Sequence, residues 1–204
     1  MVLVAHPVKS EYDMVRNTKE EHMSKAYDAS NIKVLEGLAP VRNNPSMYLG
    51  DNGPRGLHHA VWELIDNAVD EHLAGFCDEI SVVINADGMI SVEDNGRGIP
   101  IDTHPEKKRP AVEIIMTTLF SGAKYTQQTY SVAGGLHGLG VSIVNALSEH
   151  LNVTVWRDGF EWSQSYERGV PTADLNRGRK IPKNKTGTKV QFKPDAQIFQ
   201  TTEF

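Results

Sequence analysis

Residues Leu57 to Gly75 read LHHAVWELIDNAVDEHLAG, and the reading of this stretch decides the rest. Its apolar residues Val61, Trp62, Leu64, Ile65, Ala68, Val69 and Leu73 recur at spacings of three and four, which is the pattern of a helix with one buried face. The other side carries Glu63, Asn67 and Glu71 at i, i+4 and i+8, so the three line up along the helix, with Asp66 and Asp70 on the flank beside them. Gly75 suits a left-handed C-cap. Alone, such a row of acids and one amide is an ordinary solvated face.

Upstream, residues 1 to 26 mix charges of both signs with few large apolar groups, the composition of a mobile arm. Ser30 or Asn31 caps a short helix through Ile32, Val34, Leu35 and Leu38, which Pro40 ends, and a second helical piece covers Val41 to Asn44. NPSMYLGDNGPRG, residues 44 to 56, reads as loop.

Downstream, EISVVINAD and MISVEDNG alternate in hydrophobicity and form a hairpin. Its second strand ends in Asp94, and Gly96 and Gly98 beyond it permit close backbone approach by a ligand. Pro110 opens the helix AVEIIMTTLF. The small, polar segment SGAKYTQQTYSVAGG has the character of a long functional loop. It runs into GGLHGLG and then into VSIVNALSEH, a helix with Val141, Ile143, Val144 and Leu147 on its apolar face. Three strands follow, LNVTVWRDG, FEWSQSYERG and TGTKVQFKP, with PTADLNRGRKIPKNK as a loop between the last two. Its cations Arg177, Arg179, Lys180, Lys183 and Lys185 read as a solvated loop, nucleic-acid contact being the less favoured alternative.

With 204 residues, 39% hydrophobic and 23% charged, the chain fits one domain with a sizeable core. A single cysteine, Cys77, precludes an intramolecular disulfide and makes a cytoplasmic setting the default. The opening residues carry no secretory pattern, and no apolar run reaches the eighteen or so residues of a membrane span. A formal net charge of -5 argues against a surface that grips nucleic acid by bulk electrostatics, so any DNA contact is local or lies elsewhere.

The phosphate candidate is GGLHGLG. Gly135, Gly138 and Gly140 let backbone N–H groups turn toward an anion, and the helix beyond adds the positive end of its dipole. Its order is GxxGxG, neither the GxGxxG of a dinucleotide fold nor the GxxxxGK[ST] of a P-loop. A flexible hinge explains such a loop equally well, and His137 within it suits a structural or backbone role.

The set in order is specific: a helix with Glu63 and Asn67, a strand ending in Asp94, a glycine loop at a helix start, and TGT in a late strand. It resembles the ATP-binding fold shared by type II DNA topoisomerases, the ATP-driven heat-shock chaperone, histidine kinases and the mismatch-repair protein MutL. The wording IKVLEGL, MYLG, ELIDNAVDE, VEDNGRGIP and GGLHGLGVSIVNALS is similar to the ATPase-bearing components of the bacterial type IIA topoisomerases, DNA gyrase and topoisomerase IV. The similarity runs from about Tyr27 to the last residue.

That resemblance implies an α+β two-layer sandwich of the Bergerat type, a mixed β-sheet with helices on one face and ATP between the layers. Residues 1 to 26 would be the arm and 27 to 204 the ATP-binding domain. Glu63 matches the general base, a carboxylate suited to take a proton from the attacking water. Asn67 matches the Mg2+ ligand, its amide oxygen a hard donor. Asp94 matches the acceptor of the adenine amino group, and Thr188 a threonine that supports that contact through water. Gly96, Gly98 and Ile99 would line the nucleotide. The backbone of Gly135, Leu136, His137, Gly138, Leu139 and Gly140 would hold phosphates, with Lys124 near the γ-phosphate and Tyr130 at the base or sugar. Glu71, Arg97, Pro100 and Arg157 match the rim, where family inhibitors also compete with ATP.

The family's RPGMYIG is NPSMYLG here, and its HAGGKF is FSGAKY, so Ala123 stands where a glycine is usual. The family's next domain supplies a lysine and a glutamine to the γ-phosphate, so this chain is expected to bind ATP and turn it over poorly. ATP would close two such domains into a homodimer, with the arm around Tyr27 to Ile32 reaching over the partner. Gyrase A, or its topoisomerase IV counterpart, is the implied partner, and DNA is met through other domains. A non-hydrolysing nucleotide-gated dimerisation module would share Asn67, Asp94 and the glycine loop, but Glu63 argues against it. A histidine kinase would need a phosphoacceptor histidine on a two-helix unit, for which the upstream residues are too few.

Overall fold

The computed structural model describes residues 35–121 and 139–204. Glu36–Phe204 is one compact unit. The arm, the expected helix from Ile32 to Val34, and the site candidates Lys124, Tyr130, Gly135, Leu136, His137 and Gly138 lie outside the described residues, as does Ala123.

Prolines open the first helices where the sequence reading had them end or interrupt. Leu35 to Leu38 is not helical, and α1 covers Ala39–Asn43 with Pro40 in its first turn. A first-turn proline lacks only an N–H that has no intrahelical partner. For the same reason Pro45 starts α2, Pro45–Leu49, inside the segment expected as loop, and Pro54 starts α3, Pro54–Leu73, three residues before Leu57. Asp51 fixes that start, its Oδ1 accepting from the N–H groups of Gly53 at 2.7 Å and Gly56 at 3.1 Å. At the other end the N–H of Phe76 bonds to Glu71 O and that of Gly75 to His72 O, a Schellman motif with Gly75 at φ +82°.

Leu57, Ala60, Val61, Leu64 and Ala68 make the buried stripe of α3. Trp62 and Leu73, expected on that face, are both 54% exposed, because their azimuths fall off it. Asp70 departs in the other direction: it is fully buried, not part of a solvated flank. Seven residues is nearly two full turns, so Asp70 shares the azimuth of Glu63 rather than that of Asp66.

The hairpin forms as expected from β1, Ile80–Ile84, and β2, Ile90–Asp94. Then come α4, Ala111–Thr117, capped by Pro110, and α5, Gly140–Ala146. The expected helix through Ser148 to His150 stops short, because these residues join β3, Ser148–Arg157, and pair with the strand preceding Asp195. β4 is Phe160–Glu167 and the last strand, β7, is Gly187–Pro194. The intervening segment is not loop throughout: β5, Val170–Pro171, and β6, Asn176–Lys180, both pair with β4.

The sheet order is β1-β2-β7-β3-β4-β5, with β6 also on β4. A mixed sheet was expected; every pairing among the described strands is antiparallel. Opposed residues share a face, so the register lays rungs across four strands. One rung is Ile90, Phe192, Leu151, Tyr166; the next is Val92, Val190, Val153, Gln164; the third is Asp94, Thr188, Val155, Trp162. The first two rungs pack with Leu57, Leu64, Met116, Ile143 and Val144 of the helical layer. Burying such a leucine or isoleucine stabilises by roughly 1.5–3 kcal/mol. Gln164 enters this layer with full satisfaction: Nε2 donates to Glu113 Oε2 at 2.6 Å and Ala173 O at 3.0 Å, and Oε1 accepts from Tyr166 at 2.8 Å. The third rung begins with a carboxylate.

Candidate functional site

Asp94 closes β2 at the end of the hydrophobic rungs, directly opposite Thr188 of β7. Its Oδ1 accepts the N–H of Gly96 at 2.8 Å. Burial pushes its carboxyl up to about 6; the nearby charge of Glu71 adds to the rise, while the N–H groups of Gly96 and Thr188 oppose it. Thr188 is nearly buried, and its Oγ1 accepts the N–H of Ile99 at 3.2 Å, which leaves the hydroxyl proton to donate. The pair therefore places a desolvated acceptor beside a hydroxyl on the inner face of the sheet.

Across from this pair runs the polar row of α3, anchored at both ends by contacts that only glycine allows. A Cβ on Gly96 would lie 3.0 Å from Glu71 Cγ and 2.9 Å from Asp94 Oδ1. A Cβ on Gly140 would overlap the carboxylate of Glu63. Glu63 is thus seated against the first residue of α5, and Glu71 against the loop that follows Asp94. Eight helical residues separate them, roughly 12 Å at 1.5 Å per residue. Between them Asn67 donates Nδ2 to Glu63 O at 2.9 Å. Only the nitrogen can donate to a carbonyl, so the bond fixes which end of the amide is oxygen.

His59, one turn before Glu63, was not among the residues the sequence singled out. Its Nε2 lies 3.5 Å from Glu63 Oε1, and its Nδ1 lies 3.1 Å from Leu49 O. A carbonyl only accepts, so Nδ1 carries a proton and Nε2 faces the carboxylate. The i, i+4 spacing of His59 and Glu63 was the available signal.

At the mouth Glu71 grips Arg97 with both oxygens, Oε2 at 3.0 Å from Nε and Oε1 at 2.8 Å from NH2, and the guanidinium lies 4.0 Å over the Phe76 ring. Arg157 donates to Gly98 O at 2.6 Å and to Arg97 O at 3.4 Å. Outside them a cleft of about 610 Å³ is lined by Phe76, Gly96, Arg97, Arg157, Asp158, Lys183 and Thr186. Two of these, Phe76 and Asp158, carried no motif, while Thr186 opens the TGT segment and Lys183 belongs to the basic run read as a solvated loop. Of the expected residues, the structure gathers Glu63, Asn67, Glu71, Asp94, Gly96, Arg97, Gly98, Ile99, Gly140, Arg157 and Thr188. Leu139 caps α5, its carbonyl accepting from Ser142 Oγ, and Pro100 is exposed beyond Ile99. Among the described residues no cluster of three or more His, Cys, Asp or Glu could hold a metal, and no helix is long and apolar enough to cross a membrane.

The family described as histidine kinase-, DNA gyrase B- and HSP90-like ATPase matches residues 52–198. DNA gyrase B of Thermotoga maritima is 54% identical over 178 residues, 87% of this chain and 28% of that protein. That of Halalkalibacterium halodurans is 56% identical over 180 residues, 88% of this chain and again 28% of that protein. The chain therefore spans under a third of the length of these relatives. Among solved structures, the 43K ATPase domain of Thermus thermophilus gyrase B in complex with an aminocoumarin superposes with a TM-score of 0.72 at 47% identity, covering 82% of this chain and 41% of that one. A sheet ending in Asp94 and Thr188, faced by the Glu63 helix and matched over most of its length, places the chain in the histidine kinase-, DNA gyrase B- and HSP90-like ATPase family.

Proposed function

We propose that this chain is the ATP-binding and ATP-hydrolysing domain of a DNA gyrase B protein. The observation that carries the reading is the span of α3 between Glu63 at Gly140 and Glu71 at Gly96, with Asp94 and Thr188 at the second end. One end is acidic and meets a helix start; the other offers a half-buried acceptor.

In this reading Asp94 accepts from the adenine amino group and Thr188 supports the contact, a pattern that guanine would not satisfy. Gly96, Gly98 and Ile99 line the base, and Glu71, Arg97, Pro100 and Arg157 form the rim. Gly135, Leu136, His137, Gly138, Leu139 and Gly140 hold the phosphates, Lys124 adds charge and Tyr130 reaches the base or sugar. Glu63 orients the attacking water and takes its proton. Mg2+ would bind through Asn67, whose amide oxygen is set by the Nδ2 bond to Glu63 O; with no acidic cluster among the described residues, phosphates and waters would complete its shell. When bound, it would neutralise charge on the transferred phosphoryl group.

The wider role in this reading is homodimerisation on ATP through the N-terminal arm, assembly with gyrase A, action on DNA through other domains, and a cytoplasmic setting; similarity to gyrase B proteins supports it. The paralogous topoisomerase IV protein is the nearest alternative. Calorimetric ATP binding to the chain and to Asp94→Asn tests the base contact, since equal affinities would refute it. Turnover of Glu63→Ala in a form extended past Phe204 separates an ATPase from a non-hydrolysing module, because unchanged turnover would remove the base assignment.

A further inference from the structure

The strongest charged feature away from the polar row of α3 is the basic run of the β6 edge, of which Lys183 alone also lines the cleft at the site mouth. Arg177, Arg179, Lys180, Lys183 and Lys185 fall within nine residues, and no Asp or Glu occurs from Leu175 to Thr188. Strand β6 is exposed at all five positions, and its pairing with β4 holds Lys180 opposite Phe160 and Arg177 opposite Trp162. Arg177, Arg179 and Lys180 therefore sit on a paired strand, and Lys183 and Lys185 lie in the turn segment that joins it to β7.

Their charge is also left largely unneutralised. Among the described residues, Arg179 is the one member with an ion pair, to Glu161 at 3.1 Å. Aromatic faces carry two others, Arg177 at 4.9 Å over Phe160 and Lys185 at 4.5 Å over Trp156. Ring faces orient a cation without cancelling it. The chain as a whole has a net charge of -5, so this edge is a local positive strip on an acidic protein.

We infer that the β6 edge docks the phosphate backbone of duplex DNA. The choice of DNA rests on the proposed gyrase role, but the chemistry is independent of Glu63 and Asp94. A five-residue strand spans roughly 17 Å, and a duplex carries one charge per ~1.7 Å, so the strip meets several phosphates at once. An anionic bilayer is the poorer fit, since no large apolar side chain is exposed from Asn176 to Lys185 to insert beside the cations. The contact carries no base readout, because phosphates position without specifying. The acidic remainder repels DNA and leaves this edge as the approach.

The test is fluorescence anisotropy of a labelled random-sequence 30-base-pair duplex with the full 204-residue chain between 25 and 200 mM KCl. With four unpaired cations the slope of log affinity against log salt is expected near -3.6, a loss of about a hundredfold from 50 to 200 mM. Arg177→Gln, Lys180→Gln and Lys185→Gln together should flatten that slope by about 2.7. The matched control Arg55→Gln, Lys107→Gln and Lys108→Gln, all exposed and off this edge, should leave it unchanged. A thermal melt and ATP affinity equal to the parent show that the triple variant is folded, and keep failure here distinct from failure of the ATPase reading. No anisotropy change at 25 mM KCl, equal losses in the two triple variants, or phosphatidylserine vesicles that outcompete the duplex would each overturn the inference.

Discussion

Asp94→Asn is expected to stabilise the nucleotide-free domain while weakening its hold on ATP. Burial moves the Asp94 carboxyl from 3.8 to about 6. A raised carboxyl pKa means that the folded state binds the proton more tightly than the unfolded state does. This group therefore favours folding least above pH 6, and the penalty builds as pH rises from 3.8 to 6. At 1.36 kcal/mol per unit the penalty at pH 7 is about 3 kcal/mol. An asparagine keeps an oxygen for the Gly96 N–H but has one acceptor where the carboxylate has two, so the expected net gain is about 1–2 kcal/mol. For a domain of this size that is roughly 2–8 °C in Tm. Paired urea melts followed by circular dichroism at pH 7.5 and pH 4.5 read it directly: the advantage should be present at the higher pH and shrink at the lower, where the parent carboxyl is already protonated. ATP affinity should fall about ten- to hundredfold, the worth of one charge-assisted hydrogen bond of roughly 1.5–3 kcal/mol. A variant less stable than the parent at pH 7.5, or an advantage that does not change with pH, would refute the burial argument.

Gly140→Ala drives a methyl group into the Glu63 carboxylate; relief displaces the acid, so turnover should fall at least tenfold while Tm drops by an amount matching roughly 1–3 kcal/mol of strain, measured by steady-state ATPase and calorimetry on an extended form. His59→Leu should lower kcat by no more than about fivefold with ATP affinity unchanged, because a half-exposed pair contributes about 1 kcal/mol or less. Asp195 behaves opposite to Asp94: burial works against ionisation, but the Gln197 N–H and the guanidinium groups of Arg42 and Arg168 win and hold the carboxyl below its usual range. Its contribution is present above pH 4 and lost as pH falls through the depressed value, so Arg42→Ala should cost roughly 1.5–3 kcal/mol at pH 7 and less near pH 3, read by chemical denaturation.

Period and punctuation made most of the fold legible. The 3.6-residue stripe of α3, the alternating hairpin and Pro110 before α4 each follow from local rules that the packing did not override. The two roles of proline compete: Pro40 reads as a helix stop and Pro45 and Pro54 as loop residues, yet all three open turns of helix. The same local view hid β5 and β6, because a polar, exposed edge strand has no hydrophobic alternation and is held only by its partner β4. At the site the motif residues were readable because each has a distinctive chemistry. Phe76 and the cleft position of Lys183 were not, since both arise from contact across elements, whereas His59 had only its i, i+4 spacing to Glu63 as a signal.

The burial of Asp70 and the raised pKa of Asp94 belong to one physical situation. Helix α3 is capped at both ends, by Asp51 and by the Schellman turn, and holds Glu63 and Glu71 about two turns apart on one element. A polar row facing a hydrophobic sheet places carboxylates in a low-dielectric layer, where each ionised group costs stability unless donors answer it. Glu71 has Arg97 as its answer; Asp94 has two backbone N–H groups, and these do not offset its burial. An acceptor left under-compensated in the empty fold is the group that gains most when a ligand N–H arrives, which is why the costliest carboxylate of the sheet is also the best placed to select the base.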